Sequence, residues 1–194
     1  MKHLLENLLN LTEEDIFKPF SIEEVIQQRL KDCTLNSDGT YSSKGNVDLS
    51  GLDLTKLPVK FKEVKGFFDC EHNKLTSLKG APEKVGLDFW CNDNQLTTLE
   101  GCPKEVGGGF GCSFNKLTTL EDAPRKIDGG FYCHNNKLTS LEGAPEKVVG
   151  SFWCDFNELT TLKGAPREVG GEFWCNDNSV PTGKLEKTIE RSYL

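Results

Sequence analysis

Eight cysteines, three histidines and three tryptophans are the residues of this 194-residue chain whose side chains could do specific chemistry. The histidines, His3, His72 and His134, have no partner at metal-ligand or triad spacing, and no CxxC pair supplies half of a zinc site. Six cysteines fall instead at one phase of a repeat: Cys70, Cys91, Cys112, Cys133, Cys154 and Cys175. Stacked parallel strands set equivalent residues ~4.8 Å apart, which alone would permit a disulfide. Each of these cysteines, however, stands two residues after a Phe on the same side of an extended segment, where it serves as a small apolar filler. Buried, reduced thiols are therefore expected, and with them a reducing cytoplasm. His134 and Asp155 become neighbours in successive copies and could exchange a proton, but no nucleophile or phosphate-binding loop accompanies them. No enzyme activity, metal or cofactor is expected.

The element that must position these residues is a repeat of 21 residues without a slip in register. Phe68-Asp69-Cys70 returns as Phe89-Trp90-Cys91, Phe110-Gly111-Cys112, Phe131-Tyr132-Cys133, Phe152-Trp153-Cys154 and Phe173-Trp174-Cys175. Three positions after each Cys stands an Asn, from Asn73 to Asn178, and two Leu follow in the first five copies. A fixed period of this length predicts a β-rich repeat solenoid, in which each coil buries its apolar side against its neighbours. Val47, Leu49, Leu54 and Leu57 lie one period before Phe68, Cys70, Leu75 and Leu78, giving a degenerate first coil and seven coils in all, the last incomplete.

Within a coil, Phe89 and Cys91 are expected to point inward and Trp90 outward, because side chains alternate across a strand. Asn94 stands where the chain leaves the strand, and its amide can satisfy backbone groups inside the bend. Gly101, Pro103 and Gly107-Gly108 mark the remaining bends, and Asp122 replaces one bend Gly with a residue that tolerates left-handed geometry. Charged pairs such as Glu83-Lys84 lie on the other side of the coil and read as a solvated face.

Residues 1–46 read as a helical cap and hairpin linker, 47–178 as the solenoid and 179–194 as a closing segment. Thr12 with Glu13, Glu14 and Asp15 starts a helix; Pro19 separates it from a second, opened by Ser21 and Glu24 as a capping box. Ile22, Val25, Ile26 and Leu30 share one side of that second helix. Asp38-Gly39 predicts a hairpin turn between short strands. At the other end, Leu185, Ile189 and Tyr193 have the spacing of a short helix. No apolar run is long enough to span a membrane, and the stretch after Met1 lacks a small-residue cleavage site, so no signal peptide is expected.

The core pattern Phe89-x-Cys91-x-x-Asn94-x-Leu96-x-x-Leu99 resembles that of leucine-rich repeats, with Phe and Cys in two of the usual Leu places. The Pro-rich return, as in Ala81-Pro82-Glu83-Lys84-Val85, is similar to the short bacterial type, and the Cys and Asn phases resemble repeat proteins of tailed bacteriophages. This resemblance implies a parallel β-sheet with a concave strand face that binds other proteins. The phage likeness implies a host or antiviral-defence protein as partner.

Three outward columns remain on that face. The residue between Phe and Cys is Asp69, Trp90, Gly111, Tyr132, Trp153 or Trp174. Directly after Cys stand Glu71, Asn92, Ser113, His134, Asp155 and Asn176, and beside them His72, Asp93, Phe114, Asn135, Phe156 and Asp177. A row of wet aromatics forgoes substantial burial energy, and Trp and Tyr are favoured at interface hot spots. The candidate partner-binding residues are Trp90, Tyr132, Trp153, Trp174, Phe114, Phe156, His134, Asp155 and Asn92. Gly111 should leave a gap between Trp90 and Tyr132 for an inserted side chain. A cross-strand aromatic ladder that only stiffens the sheet is the structural alternative. The net charge of −7 and pI near 5.1 disfavour nucleic acid, whose affinity rests on Lys and Arg. A protein partner leads; glycan binding through stacked rings and a self-associating particle are the other classes, and a monomer or weak homo-oligomer is expected.

Overall fold

A computed structural model of the chain describes residues 21–179. The expected helix starting at Thr12, Pro19 and the closing helix of Lys184 to Tyr193 lie outside these residues. Helix α1 spans Ile22–Arg29 and opens on the Ser21 capping box, in which the Glu24 N–H donates to Ser21 Oγ and the Ser21 N–H to Glu24 Oε2. None of its own residues is buried; Leu30, just beyond it, joins the core. Helix is therefore a minor part of the described fold: no residue of α1 is fully buried, although Ile26 on its apolar side packs, partly buried, against the core. Arg29 ties α1 to the first coil through an ion pair with Asp48.

Two short strands, β1 (Cys33–Leu35) and β2 (Tyr41–Ser43), form the expected antiparallel hairpin, with Gly39 at a φ of 78° in its turn. The chain then winds as a parallel β-solenoid. One sheet holds β3 (Val47–Asp48), β5 (Phe68–Asp69), β7 (Phe89–Trp90), β9 (Phe110–Gly111), β11 (Phe131–Tyr132), β13 (Phe152–Trp153) and β15 (Phe173–Trp174). Each strand pairs in parallel with its neighbour at equivalent repeat positions, as in Phe131 with Phe152, so consecutive strands bound about six full turns rather than seven. A second set of strands covers the opposite side: β4 (Phe61–Val64), β6 (Lys84–Val85), β8 (Glu105–Val106), β10 (Lys126–Ile127), β12 (Lys147–Val148) and β14 (Glu168–Val169). In the sequence this side reads as a Pro-rich return with a solvated, charged face. The signal for strands there was the β-branched residue at one phase, Val85, Val106, Ile127 and Val148, each buried directly after two exposed charged residues.

The core is a set of columns. Phe68 to Phe173 stack with centroids 5.2 to 5.5 Å apart, each pair worth roughly 0.5–1.5 kcal/mol beyond burial. The cysteines Cys70 to Cys154 are fully buried beside them, and all eight cysteines are free. Burial pushes the pKa of Cys70, Cys91, Cys112 and Cys133 well above that of an ordinary thiol. The S–H groups of Cys70, Cys91 and Cys154 donate to carbonyls of the next coil, as Cys91 does to Gly111 at 3.2 Å.

An asparagine ladder holds the bend. Asn94 Nδ2 donates to the carbonyls of Cys70 at 2.9 Å, Cys91 at 3.2 Å and Asn92 at 3.1 Å, while its Oδ1 accepts from the Leu75 N–H at 2.9 Å. Asn73, Asn115, Asn136 and Asn157 repeat the pattern, which stitches each coil to the one before it. No described helix is long and apolar enough to cross a membrane.

Candidate functional site

The outward face of the seven-stranded sheet carries the aromatic column. Strand parity settles its direction: Phe89, Phe110, Phe131 and Phe152 are fully buried, whereas Trp90 and Tyr132 are half-buried and Trp153 and Trp174 exposed. The rings form one ladder. Trp90 meets Tyr132 at 5.9 Å, Tyr132 meets Trp153 edge-on at 5.1 Å, and Trp153 meets Trp174 at 6.0 Å. The gap expected at Gly111 is closed. A Cβ there would sit 2.5 Å from Trp90 Cε3, and one at Gly109 would sit 3.0 Å from Trp90 Cη2. Glycine at both positions lets the indole lie against the bare backbone of the next coil, so it bridges to Tyr132 instead of leaving a slot.

The column after Cys is a hydrogen-bonded rail. Asn92 Nδ2 donates to Glu71 Oε1, and the Ser113 N–H donates to Asn92 Oδ1 at 2.7 Å. Ser113 Oγ pairs with His134 Nδ1 at 2.9 Å, and Asp155 Oδ1 accepts from the Asn176 N–H at 2.8 Å. Ser113, His134 and Asp155 thus stand in three successive coils, yet the arrangement is not that of a nucleophile: Ser113 is only 1% exposed, and the Asp155 carboxylate is engaged with Asn176. Burial also depresses the His134 pKa, with Asp155 acting weakly in the other direction.

The third column turns in left-handed geometry. His72, Asp93, Phe114, Asn135, Phe156 and Asp177 all have φ between 49° and 54°. Asn, Asp and His visit this region readily; a bulky apolar residue does so at a cost of roughly 1–2 kcal/mol. Phe114 and Phe156 nevertheless hold it while remaining 52% and 55% exposed. Asp122 confirms the same tolerance at the other bend, with a φ of 67°.

Together the columns shape an open groove of about 590 Å³. Six of the nine predicted residues line it: Trp90, Asn92, Phe114, Tyr132, His134 and Trp153. Phe114 packs edge-on to His134 at 5.3 Å. Trp174 extends the ladder past the groove, its Nε1 donating to Glu172 Oε2 at 2.8 Å, and Phe156 stands outside the lining. Asp155 is 8% exposed and holds the neighbouring coil rather than facing solvent. Glu71, His72, Asp93 and Ser113 complete the lining. They share the phases of the predicted residues, and that phase was the signal that could have found them. At this end burial and the neighbouring carboxylates Glu71 and Asp48 raise the Asp69 pKa, while a 2.8 Å contact with Asp93 raises that of His72. Among the described residues no group of three or more His, Cys, Asp or Glu is placed to hold a metal. Neither a protein-family model nor a curated protein matches the sequence.

Proposed function

We propose that this chain is a non-enzymatic protein-binding module that grips one macromolecular partner through the aromatic strand face of the solenoid. The observation that carries this reading is the pair Phe114 and Phe156, apolar rings held exposed in a backbone conformation that their polar counterparts would adopt with less strain. A merely stiffening ladder does not require them. Strain that the Phe114–His134 edge contact offsets only in part, at rings left half exposed, is expected where the return comes on binding. The edge-on contact of Tyr132 with Trp153, at 75°, covers ring faces that a sugar would need to stack on and so favours a protein over a glycan. Resemblance to phage repeat proteins supports a host or antiviral-defence protein as the target, inhibited by occlusion.

Affinity purification from phage-infected bacteria, run with the native chain beside a Trp90→Ala, Trp153→Ala, Trp174→Ala variant, tests this. A stoichiometric partner recovered by the native chain and lost by the folded variant is the expected outcome. Trp153→Ala alone should weaken that partner by on the order of 2 kcal/mol. Equal recovery by both chains, or no stoichiometric partner, would overturn the proposal.

A further inference from the structure

We infer that the partner segment entering this groove is basic, and that it seats an arginine guanidinium against Trp90 between Glu71 and Asp93. The inference rests on the docking reading above and specifies the chemistry of its occupant. Its ground is a charge asymmetry. The three outward columns between Phe68 and Asn178 comprise eighteen positions, of which five are carboxylates (Asp69, Glu71, Asp93, Asp177 and the inward-drawn Asp155) and none is Lys or Arg. The chain has 23 Lys and Arg residues to distribute, so their absence from this face is not scarcity.

The asymmetry is concentrated where the aromatic ladder starts. Asp69 lies directly opposite Trp90 in the β5 and β7 pairing, and Glu71 and Asp93 both line the groove. Nearby cations are committed elsewhere: Arg29 to Asp48, and Lys74 to Asp53 at 2.9 Å. Lys116 and Lys137 stand one position beyond the Asn ladder and do not line the groove. His72 answers Asp93, but with about two thirds of both side chains exposed that contact is weak and displaceable. Burial first, and then the neighbouring charges of Glu71 and Asp48, raise the Asp69 pKa, and a bound cation relieves the repulsive part.

Arginine suits this seat better than lysine. Its planar guanidinium stacks on an indole and still presents donors at its edge to two carboxylates, whereas an ammonium ion is a compact, strongly hydrated point charge. The same charge pattern opposes a second copy of the chain, since two-fold pairing would set these carboxylates against each other.

Selection of random linear peptides on the immobilised full-length chain tests the inference, with the tightest peptides then synthesised and titrated by fluorescence anisotropy. The expected peptides carry Arg next to apolar residues, and their binding weakens as salt rises. Glu71→Gln combined with Asp93→Asn should weaken them by roughly tenfold without lowering the unfolding midpoint, because Gln keeps an Oε1 that accepts from Asn92 and Asp93 is exposed. Peptides lost on Trp153→Ala but lacking Arg would overturn the basic-partner inference and leave the docking face standing. Arg-bearing peptides indifferent to the Glu71 and Asp93 changes would overturn the proposed seat. No peptide dependent on the groove would overturn both the inference and the docking face.

Discussion

Trp90 and Tyr132 belong to coils two apart, yet their rings meet at 5.9 Å across Gly111, the one position of that column with no side chain. A ladder that would otherwise be broken is continuous because the larger indole leans over the missing residue. Gly111→Ala should undo this, since the new methyl would fall 2.5 Å from Trp90 Cε3 and 2.7 Å from Asn92 Nδ2. Displacing both groups is expected to lower stability by about 1–2 kcal/mol in urea unfolding. Tryptophan emission should shift to the red as the Trp90 indole turns into water. An unshifted spectrum in a variant of native stability would mean that the bridge does not exist.

The asparagine ladder makes a sharper demand. Asn94→Ala removes donors from three carbonyls and the acceptor of the Leu75 N–H in a closed interior, and should destabilise the chain by about 2–4 kcal/mol. Asn94→Asp keeps the acceptor but sets a carboxylate against the Cys70, Cys91 and Asn92 carbonyls, which accept and cannot donate to it. Its loss should be as large at neutral pH and shrink as acid protonates the carboxyl. Urea midpoints for the two variants, compared at neutral and acidic pH, read the difference directly; parallel losses at both would refute this account of the ladder.

Much of the fold was legible because period and parity are strict. Phe and Cys two residues apart place themselves on one side of a strand, and the Asn phase marks a bend whose backbone needs an amide, so core and ladder follow from spacing. Three features were hidden for physical reasons. On the opposite side all strands but β4 are two residues long, too short for alternation to register, with only a Val or Ile at one phase to mark them. Gly111 reads as an empty place because spacing says nothing of a neighbouring indole tilting to fill it. Asp155 carries the residue type of a solvent-facing column, but its carboxylate is drawn in by the Asn176 N–H of the next coil. The left-handed bend was masked in a different way: His72, Asp93, Asn135 and Asp177 advertise it, while Phe114 and Phe156 at the same phase do not.

His72 and His134 should titrate on opposite sides of the ordinary imidazole value. The hydrogen bond to Asp93 raises the His72 pKa, whereas burial among Ser113, Phe114 and Trp153 lowers that of His134 despite Asp155. For His134, whose folded pKa is depressed, the stabilising contribution is present above the unfolded value of about 6.5 and is lost as pH falls towards the folded pKa. For His72 the sign reverses: its contribution is present below about 6.5 and fades as pH rises through the folded value. Proton NMR titration of the imidazole resonances, assigned with His72→Gln and His134→Gln variants, measures both. Titration of the two rings in the reverse order would contradict the geometry of this face.

The strain at Phe114 separates binding from stability. Its φ of 53° is matched by Asn135 at 54° one coil later, so Phe114→Asn puts into the same bend a residue suited to it. Strain relief of roughly 1–2 kcal/mol is offset by the lost edge contact with His134, worth about 0.5–1.5 kcal/mol, which leaves the variant as stable as the native chain or slightly more so. Phe156→Asn has the same backbone, with its ring outside the groove lining, and should show more of the relief as a raised urea midpoint. Affinity moves the other way: Phe114→Asn should weaken the captured partner by on the order of 1–2 kcal/mol, because it removes an anchor from the groove. A gain or standstill in stability joined to a loss of binding is expected of a residue kept for its partner. Loss of stability with affinity intact would make Phe114 a packing residue and remove the observation on which the docking face rests.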